Sequence, residues 1–482
     1  MKPITSLLQH VGLSAAFFTF SPYILSAQNK LPDNAFPMIV SPHQQTVNST
    51  EQMINCDVTS NIPFEISKGN ADWLTIVKDK SGQLYMYLKE NLASEKRTAK
   101  LVFSNEEKKV SSVMMLTQNG HVNLIPGKNL AIADMVQTIP MANVQKDAEW
   151  NIWCGCMIKG YDGKYHQFNS RWPKHRGHEG WISHSQIAYS VADKPEGPYH
   201  FVNIPLPQID DINVWDGATT HNPYIMKHNN KYYLYYIATR GKVVDEYGSV
   251  KGAEWWKRRN SQRIGVAVAD KPEGPWQRFD HPVLSVSEDE TAFDALCVTN
   301  PAVCVGRNGK IVMLYKAVCK NGTMTGGKVR FSVAFADSPT GPFKKTNKLI
   351  FMPKDPNANM VAEDPYLWYD KKNDMYYAIV RDVVDQFTGT DSGQLALLQS
   401  KDAVDWVPAD KSKVLPRYLK WEDGTTYDAH NNHVERPFLY FDEDGIPVYL
   451  FGAISVNEHK FREHSFNARI PLKLPEDFQE NQ

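Results

Sequence analysis

The chain is 482 residues long and carries 53 basic against 54 acidic side chains, with 42% hydrophobic and 22% charged residues. That length exceeds one ordinary core and calls for two domains or a large repeat array, in a globular and not a disordered chain. A charge balance this close to zero speaks against nucleic acid as a partner, because nucleic-acid binders carry a basic excess.

From the N-terminus, Lys2 precedes an apolar run from about Val11 to Leu25, and Ser26-Ala27 then lead into polar Gln28-Asn-Lys30. This layout predicts a cleavable secretory signal over residues 1–27 and an exported protein, periplasmic or extracellular. No later segment reaches the ~18 apolar residues of a membrane span. The 6 cysteines show neither a dense disulfide framework nor zinc-ligand spacing, and buried free thiols are expected.

Residues 36–120 read as a small β-sandwich. Strands are expected at Gln52–Thr59, Trp73–Val77, Leu84–Leu88, Ala99–Phe103 and Val110–Gln118, separated by turns such as Lys80-Ser-Gly82. Trp73-Leu-Thr-Ile76, Asn91, Arg97-Thr-Ala-Lys-Leu-Val102 and the closing Leu116-Thr-Gln-Asn-Gly120 resemble the BACON domain of Bacteroidetes proteins. That resemblance implies an immunoglobulin-like module serving as a spacer, or in contact with glycan. Asn119–Gly127 follows as a linker.

Repeats govern residues 128–475. The turn Ala192-Asp-Lys-Pro-Glu-Gly-Pro-Tyr199 returns at Ala269–Trp276 and, altered, at Ala336–Phe343. An x-Pro apolar run and a second aromatic run precede it: Asn222-Pro-Tyr…Lys231–Tyr236, Asn300-Pro-Ala…Lys310–Tyr315, Asp364-Pro-Tyr…Met375–Ile379 and Arg436-Pro-Phe…Val448–Phe451. An earlier copy without the proline spans Gly155–Phe168. Third strands are expected at Gln186–Val191, Arg263–Val268, Val329–Phe335 and Leu395–Gln399. Five such copies predict an all-β chain, an immunoglobulin-like β-sandwich followed by a five-bladed β-propeller. The repeated turn then joins the third and fourth strands of a blade, and its Asp and Gly serve the turn and not catalysis.

In a propeller the starts of the inner strands converge on one funnel. Aligning the copies places Cys154-Gly155, His221-Asn222, Thr299-Asn300, Glu363-Asp364 and Glu435-Arg436 there. The loops before them carry Asp216, Asp294 and His430. Carboxylates gathered in this way suit acid–base chemistry. Candidate catalytic residues are therefore Asp216, Asp294, Glu363, Asp364 and Glu435. Glu363 and Asp364 are adjacent on a strand, so at most one of them points into the funnel. Candidate sugar-binding residues are Arg171, Trp172, His221, Asn222, Asn300, Lys316, His433 and Arg436. The basic members would suit an anionic sugar. His430-Asn-Asn-His433 has weak metal spacing and reads better as a hydrogen-bonding loop.

The x-Pro inner strands, above all Glu363-Asp-Pro365 and Glu435-Arg-Pro437, and the Gly-Pro-aromatic turns resemble the glycoside hydrolase family 43-like superfamily. Asp162-Gly-Lys-Tyr165 and Ser170-Arg-Trp172 add to the likeness, which includes families 32, 62, 68 and 117. The resemblance implies a glycosidase with one carboxylate as base or nucleophile, one as acid and one that orients the others. Its usual first-blade Asp is missing here, where Cys154-Gly155-Cys156 stands. The base would then come from Asp216, Asp294 or Asp364, and the acid from Glu363, then Glu435, with His221 in reserve. The expectation is an exo-acting, monomeric enzyme on an oligo- or polysaccharide. No cofactor is expected, and such a funnel leaves room for a structural metal at its axis. A non-catalytic glycan-binding propeller and a uronate lyase are the rival readings.

Overall fold

The computed structural model describes residues 37–49, 51–78, 83–120, 125–389, 394–432, 434–456 and 464–475. The expected signal segment, the turn at Lys80–Gly82 and His433 lie outside the described residues. Two compact units divide after Gly120.

The first unit is a sandwich of two four-stranded sheets. One sheet orders its strands Met38–Ser41, Gln52–Ser60, Leu84–Leu88, Leu74–Lys78, and the other Gln44–Val47, Val110–Gln118, Arg97–Asn105, Glu65–Ser67. Alternation along Arg97–Asn105 turns Ala99, Leu101 and Phe103 inward, where they meet Leu74, Leu88, Met114 and Leu116. Arg97 lies over the Trp73 ring at 4.5 Å, closing one edge of this core.

The second unit is a five-bladed propeller. Blade 1 runs from the axis outward as Trp150–Lys159, Tyr165–Pro173, Gln186–Ala192 and His200–Asn203. Blade 2 holds Thr219–His228, Lys231–Thr239 and Arg263–Ala269. Blade 3 holds Cys297–Val305, Ile311–Val318, Val329–Ala336 and Lys344–Ile350. Blade 4 holds Ala362–Asp370, Met375–Asp382, Leu395–Ser400 and Val407–Lys413. Blade 5 pairs Val434–Phe441, Pro447–Val456 and His464–Pro471, and takes its outer strand from Val144–Gln145, ahead of blade 1 in the chain. Each sheet is antiparallel and would expose two apolar faces alone. Stacking around the axis buries them in one continuous core.

The repeated turn sits where the repeat pattern puts it, between third and fourth strands in blades 1 and 3. In blades 1 and 2 its aromatic residue folds back on the turn. Tyr199 Oη donates to the Pro195 carbonyl at 2.9 Å and Trp276 Nε1 to the Pro272 carbonyl at 3.2 Å. Midway along the axis, Tyr224, Tyr366 and Phe438 pack with ring centroids 5.1 to 6.2 Å apart. This plug closes the channel, so the funnel opens at the strand starts.

Candidate active site

Each inner strand breaks its register at the same point: between Trp153 and Cys156, His221 and Tyr224, Thr299 and Ala302, Glu363 and Tyr366, and Glu435 and Phe438. These are β-bulges, and the first extra residue of each is left-handed. Cys154 has φ 60°, Asn222 50°, Asn300 50°, Asp364 54° and Arg436 53°. Asn and Asp enter this region most readily, which explains three of the five choices. The second extra residue is Pro223, Pro301, Pro365 or Pro437, and in blade 1 Gly155. At φ 153° a Cβ on Gly155 would lie 2.7 Å from Asn467 Nδ2, so the position accepts only glycine.

The left-handed side chains form a ring around the axis, joined by a run of hydrogen bonds. Cys154 Sγ donates to Asn222 Oδ1 at 2.9 Å, Asn222 Nδ2 to Asn300 Oδ1 at 2.9 Å, and Asn300 Nδ2 to Asp364 Oδ1 at 2.7 Å. Arg436 Nη1 reaches the same Asp364 oxygen at 3.2 Å, and its charge also bears on the Cys154 thiol. Burial pushes the Cys154 thiol up to about 12, so it serves as a neutral donor. The ring carries one anion and one cation, balanced within the protein.

This register moves blade 1 by one residue against the sequence alignment. Trp153-Cys154, and not Cys154-Gly155, matches His221-Asn222. It also corrects the expectation that Glu363 and Asp364 exclude each other. The bulge breaks the two-residue alternation, so Asp364 enters the ring while Glu363 faces the funnel above it.

Above the ring lies a cavity of about 290 Å³. The residues just before the bulges, Trp153, His221, Thr299, Glu363 and Glu435, all line it. One wall is aromatic, with Trp153, Trp172, Trp181 and Trp255 around His221. Trp181 stacks on His221 at 5.1 Å, and Trp172 meets the same ring edge-on at 5.7 Å. His221 Nδ1 pairs with Ser185 Oγ at 2.7 Å. Burial, with the charge of Arg436 and the neighbouring His178, holds this imidazole well below its ordinary pKa and therefore neutral. A proton-donor role for His221 is opposed by that environment.

The opposite wall is ionic. Lys316 Nζ donates to Glu363 Oε1 at 2.6 Å, and Arg381 Nη2 donates to Glu363 Oε2. Burial alone would raise the Glu363 carboxyl, but Lys316 and Arg381 outweigh it and hold it well below the usual carboxylate range. Glu363 is thus a fixed anion, which reverses its ranking as first choice of acid. Arg381 Nε also lies 3.9 Å from Glu435 Oε1, so one guanidinium touches both glutamates. The Glu435 side chain is 8% exposed.

Several candidates fall elsewhere. Asp216 is buried away from the cavity, where it accepts the Tyr236 hydroxyl at 2.7 Å and lies 3.8 Å from Arg278 Nε. Asp294 takes the corresponding place in blade 3, bonded to Lys345 Nζ at 2.5 Å. Asp216 ties its loop to the second strand of blade 2 and Asp294 ties its loop to the fourth strand of blade 3, and neither lines the cavity. Arg171 packs between Trp150 and Phe201, at 4.3 and 4.0 Å, also outside it. Trp172, His221, Asn222, Asn300, Lys316, Glu363, Asp364, Glu435 and Arg436 are brought together.

The repeat pattern missed His178, Ile237, Trp255, Arg259 and Gln262, which complete the lining. Trp255 and Arg259 ride on the helix Gly252–Asn260, inside a long insertion between the second and third strands of blade 2. The length of that gap, residues 240–262 against 319–328 in blade 3, was the available signal. Among the described residues Arg259 pairs with no carboxylate. Its Nη1 donates to Asn260 Oδ1 at 3.0 Å and lies 3.6 Å from Cys297 Sγ. Among those residues no group of three or more His, Cys, Asp or Glu is arranged to hold a metal, and all six cysteines are free.

No family model and no curated protein sequence matches the chain. Solved structures do resemble it. A complex of BT0996 with RGII aligns with 72% of this chain and 94% of its own at 13% identity and a TM-score of 0.51. A structure described as "Glycoside hydrolase" covers 72% and 93% at 13% identity and a TM-score of 0.50. Zg3597, a family 117 glycoside hydrolase from the marine bacterium Zobellia galactanivorans, covers 69% and 87% at 17% identity and a TM-score of 0.47. At these identities the likeness is one of fold.

Proposed function

We propose that the protein is an exported, exo-acting glycoside hydrolase that takes the terminal ring of an acidic oligosaccharide into the propeller funnel. The observation that carries this reading is the pair Glu363 and Glu435. They come from adjacent blades, touch one guanidinium, and face a cavity walled by indoles. The cavity volume of about 290 Å³ suits one sugar ring and not a threaded chain. The sugar's apolar face would lie against the Trp wall and its hydroxyls against Gln262, Thr299 and the neutral His221.

In this reading Glu435 protonates the departing glycosidic oxygen. Glu363, kept ionised by Lys316 and Arg381, bonds to the anomeric carbon as the C–O bond breaks. Glu435, now a carboxylate, then takes a proton from water, which attacks the same carbon and frees Glu363. Two carboxylates on one guanidinium favour the short spacing of retaining pairs, about 5–5.5 Å, over the wider inverting spacing. Charge supports an acidic sugar. Arg259, Lys316, Arg381 and Arg436 outnumber Glu363, Asp364 and Glu435 by one, and by two when Glu435 holds its proton. A uronate carboxylate on Arg259 would offset that excess.

The test is turnover on matched neutral and uronate-containing plant and algal oligosaccharides, reading reducing ends and ultraviolet absorbance. New reducing ends from the uronate set, without an unsaturated product, are expected. One observation favours a second reading, a propeller that binds glycan without cleaving it: both oxygens of Glu363 are already ion-paired. Binding without new reducing ends would establish that alternative, and an unsaturated product would indicate a lyase.

A further inference from the structure

Beside the funnel, and sharing its Trp255 wall, lies a second and larger concavity of about 900 Å³. Two loops build it, each joining a second strand to a third: residues 174–184 of blade 1 and 242–256 of blade 2. The loops are tied to each other. Arg176 Nε and Nη2 donate to the Glu246 carbonyl at 2.9 and 2.6 Å, and His184 Nε2 lies 3.0 Å from the Asp245 carbonyl. Asp245 Oδ1 in turn accepts the Tyr247 and Gly248 backbone N–H groups, which fixes the tip carrying Tyr247. The helix end is held by Arg258, whose Nη2 donates to the Lys242 carbonyl at 2.8 Å.

A run of aromatic rings leads from the funnel into this groove. Trp181 stacks on His221 at 5.1 Å, Trp255 meets Trp181 edge-on at 6.4 Å, and Trp256 meets Trp255 at 4.8 Å. On the far side Tyr247 stacks on His175 at 5.6 Å and leaves 78% of its surface exposed. Trp255 and Trp256 are half-buried and offer one face to the groove, and Tyr247 offers most of its ring. They are suited to a flat, amphipathic ligand that stacks on one face and hydrogen-bonds at its rim. Arg176, Glu179, Ser183, Ser249 and Lys251 supply that rim.

We infer that the groove is a second sugar subsite, which receives the unit next to the ring held in the funnel, on the leaving-group side. This rests on the glycosidase reading and extends it. The funnel takes one ring, the groove opens from its aromatic wall, and the next ring of the same oligosaccharide is therefore the occupant. The natural substrate then has at least two units, and the two loops set its preference at the second.

Dependence on oligosaccharide length tests the inference. Mono-, di- and trisaccharides from pectin, xylan, arabinan and agar digests are titrated against the full-length protein and against Tyr247→Ala and Trp256→Ala, with turnover followed in parallel. The expected result is affinity that rises about tenfold or more from the monosaccharide to the di- or trisaccharide of one series. Each variant lowers that ratio about five- to tenfold, the scale of one aromatic contact. Affinity or turnover independent of oligosaccharide length, or a ratio unmoved in both variants, overturns the groove and leaves the glycosidase reading standing. A protein that binds and cleaves none of these sugars overturns both.

Discussion

The axial ring makes a quantitative prediction about stability. Arg436→Met would leave the Asp364 carboxylate, 4% exposed, with the Asn300 amide at 2.7 Å and no cation bonded to it. Breaking one side of a buried ion pair costs about 3–5 kcal/mol, because the remaining charge is uncompensated. Adding Asp364→Asn removes that charge and keeps an oxygen for Asn300 Nδ2. The double variant should then lack only the hydrogen bond Arg436 makes to Asp364, about 1.5–3 kcal/mol for a bond to a charged group. Asp364→Asn alone strands the buried Arg436 at a similar cost of about 3–5 kcal/mol, so a coupling of about 3 kcal/mol or more between the two sites follows. The assay is urea unfolding of all four proteins of the cycle by Trp fluorescence. That signal reports the propeller, since of the 12 Trp only Trp73 lies in the N-terminal unit. Additive effects, with coupling within about 0.5 kcal/mol, would refute a charge-balanced ring.

Three further expectations can be checked with the same protein. Asp216→Ala should destabilise the propeller by about 1–3 kcal/mol by orphaning the buried Tyr236 hydroxyl, measured by urea unfolding, and leave turnover of the identified substrate unchanged. Glu363 is held below its unfolded pKa of about 4.3, so its contribution to stability is present above that pH and lost as pH falls below it. Lys316→Met narrows the window between folded and unfolded values, and melting temperatures from pH 6 to 3 should fall less steeply than in the wild type. Proton NMR of the first product should show retained anomeric configuration, and inversion would remove Glu363 as nucleophile.

What was legible in the sequence was what repeats. The geometry of a blade imposes the x-Pro run in four copies and the Gly-Pro-aromatic turn in three, and the third strands begin where the pattern places them and run one residue further. The bulge was hidden because it inserts a residue without changing composition. In blade 1 its proline is replaced by Gly155, which shifted the alignment by one. Asp216 and Asp294 illustrate a different limit. Their spacing to the inner strand is regular, yet Asp216 turns to Tyr236 on the second strand and Asp294 to Lys345 on the fourth, a choice spacing does not encode. Trp255 and Arg259 stand on an insertion that no other blade shares, so repeat alignment had nothing to set them against. The closing strand Val144–Gln145 is only two residues long and exists only because blade 5 offers His464–Pro471 an empty edge. The short, polar-flanked segment carries no periodicity of its own.

The central claim is that Glu435 and Glu363 perform glycoside cleavage in the funnel. Its most direct test is the rate of reducing-end release by wild type, Glu435→Gln and Glu363→Gln on the oligosaccharide the turnover screen identifies, with binding of that sugar measured in each. Wild type should cleave, and each variant should still bind but be slower by about 10²–10⁴-fold, the usual contribution of positioned acid–base groups. Equal rates in all three proteins, or a wild type that binds the sugar and releases nothing, would contradict it.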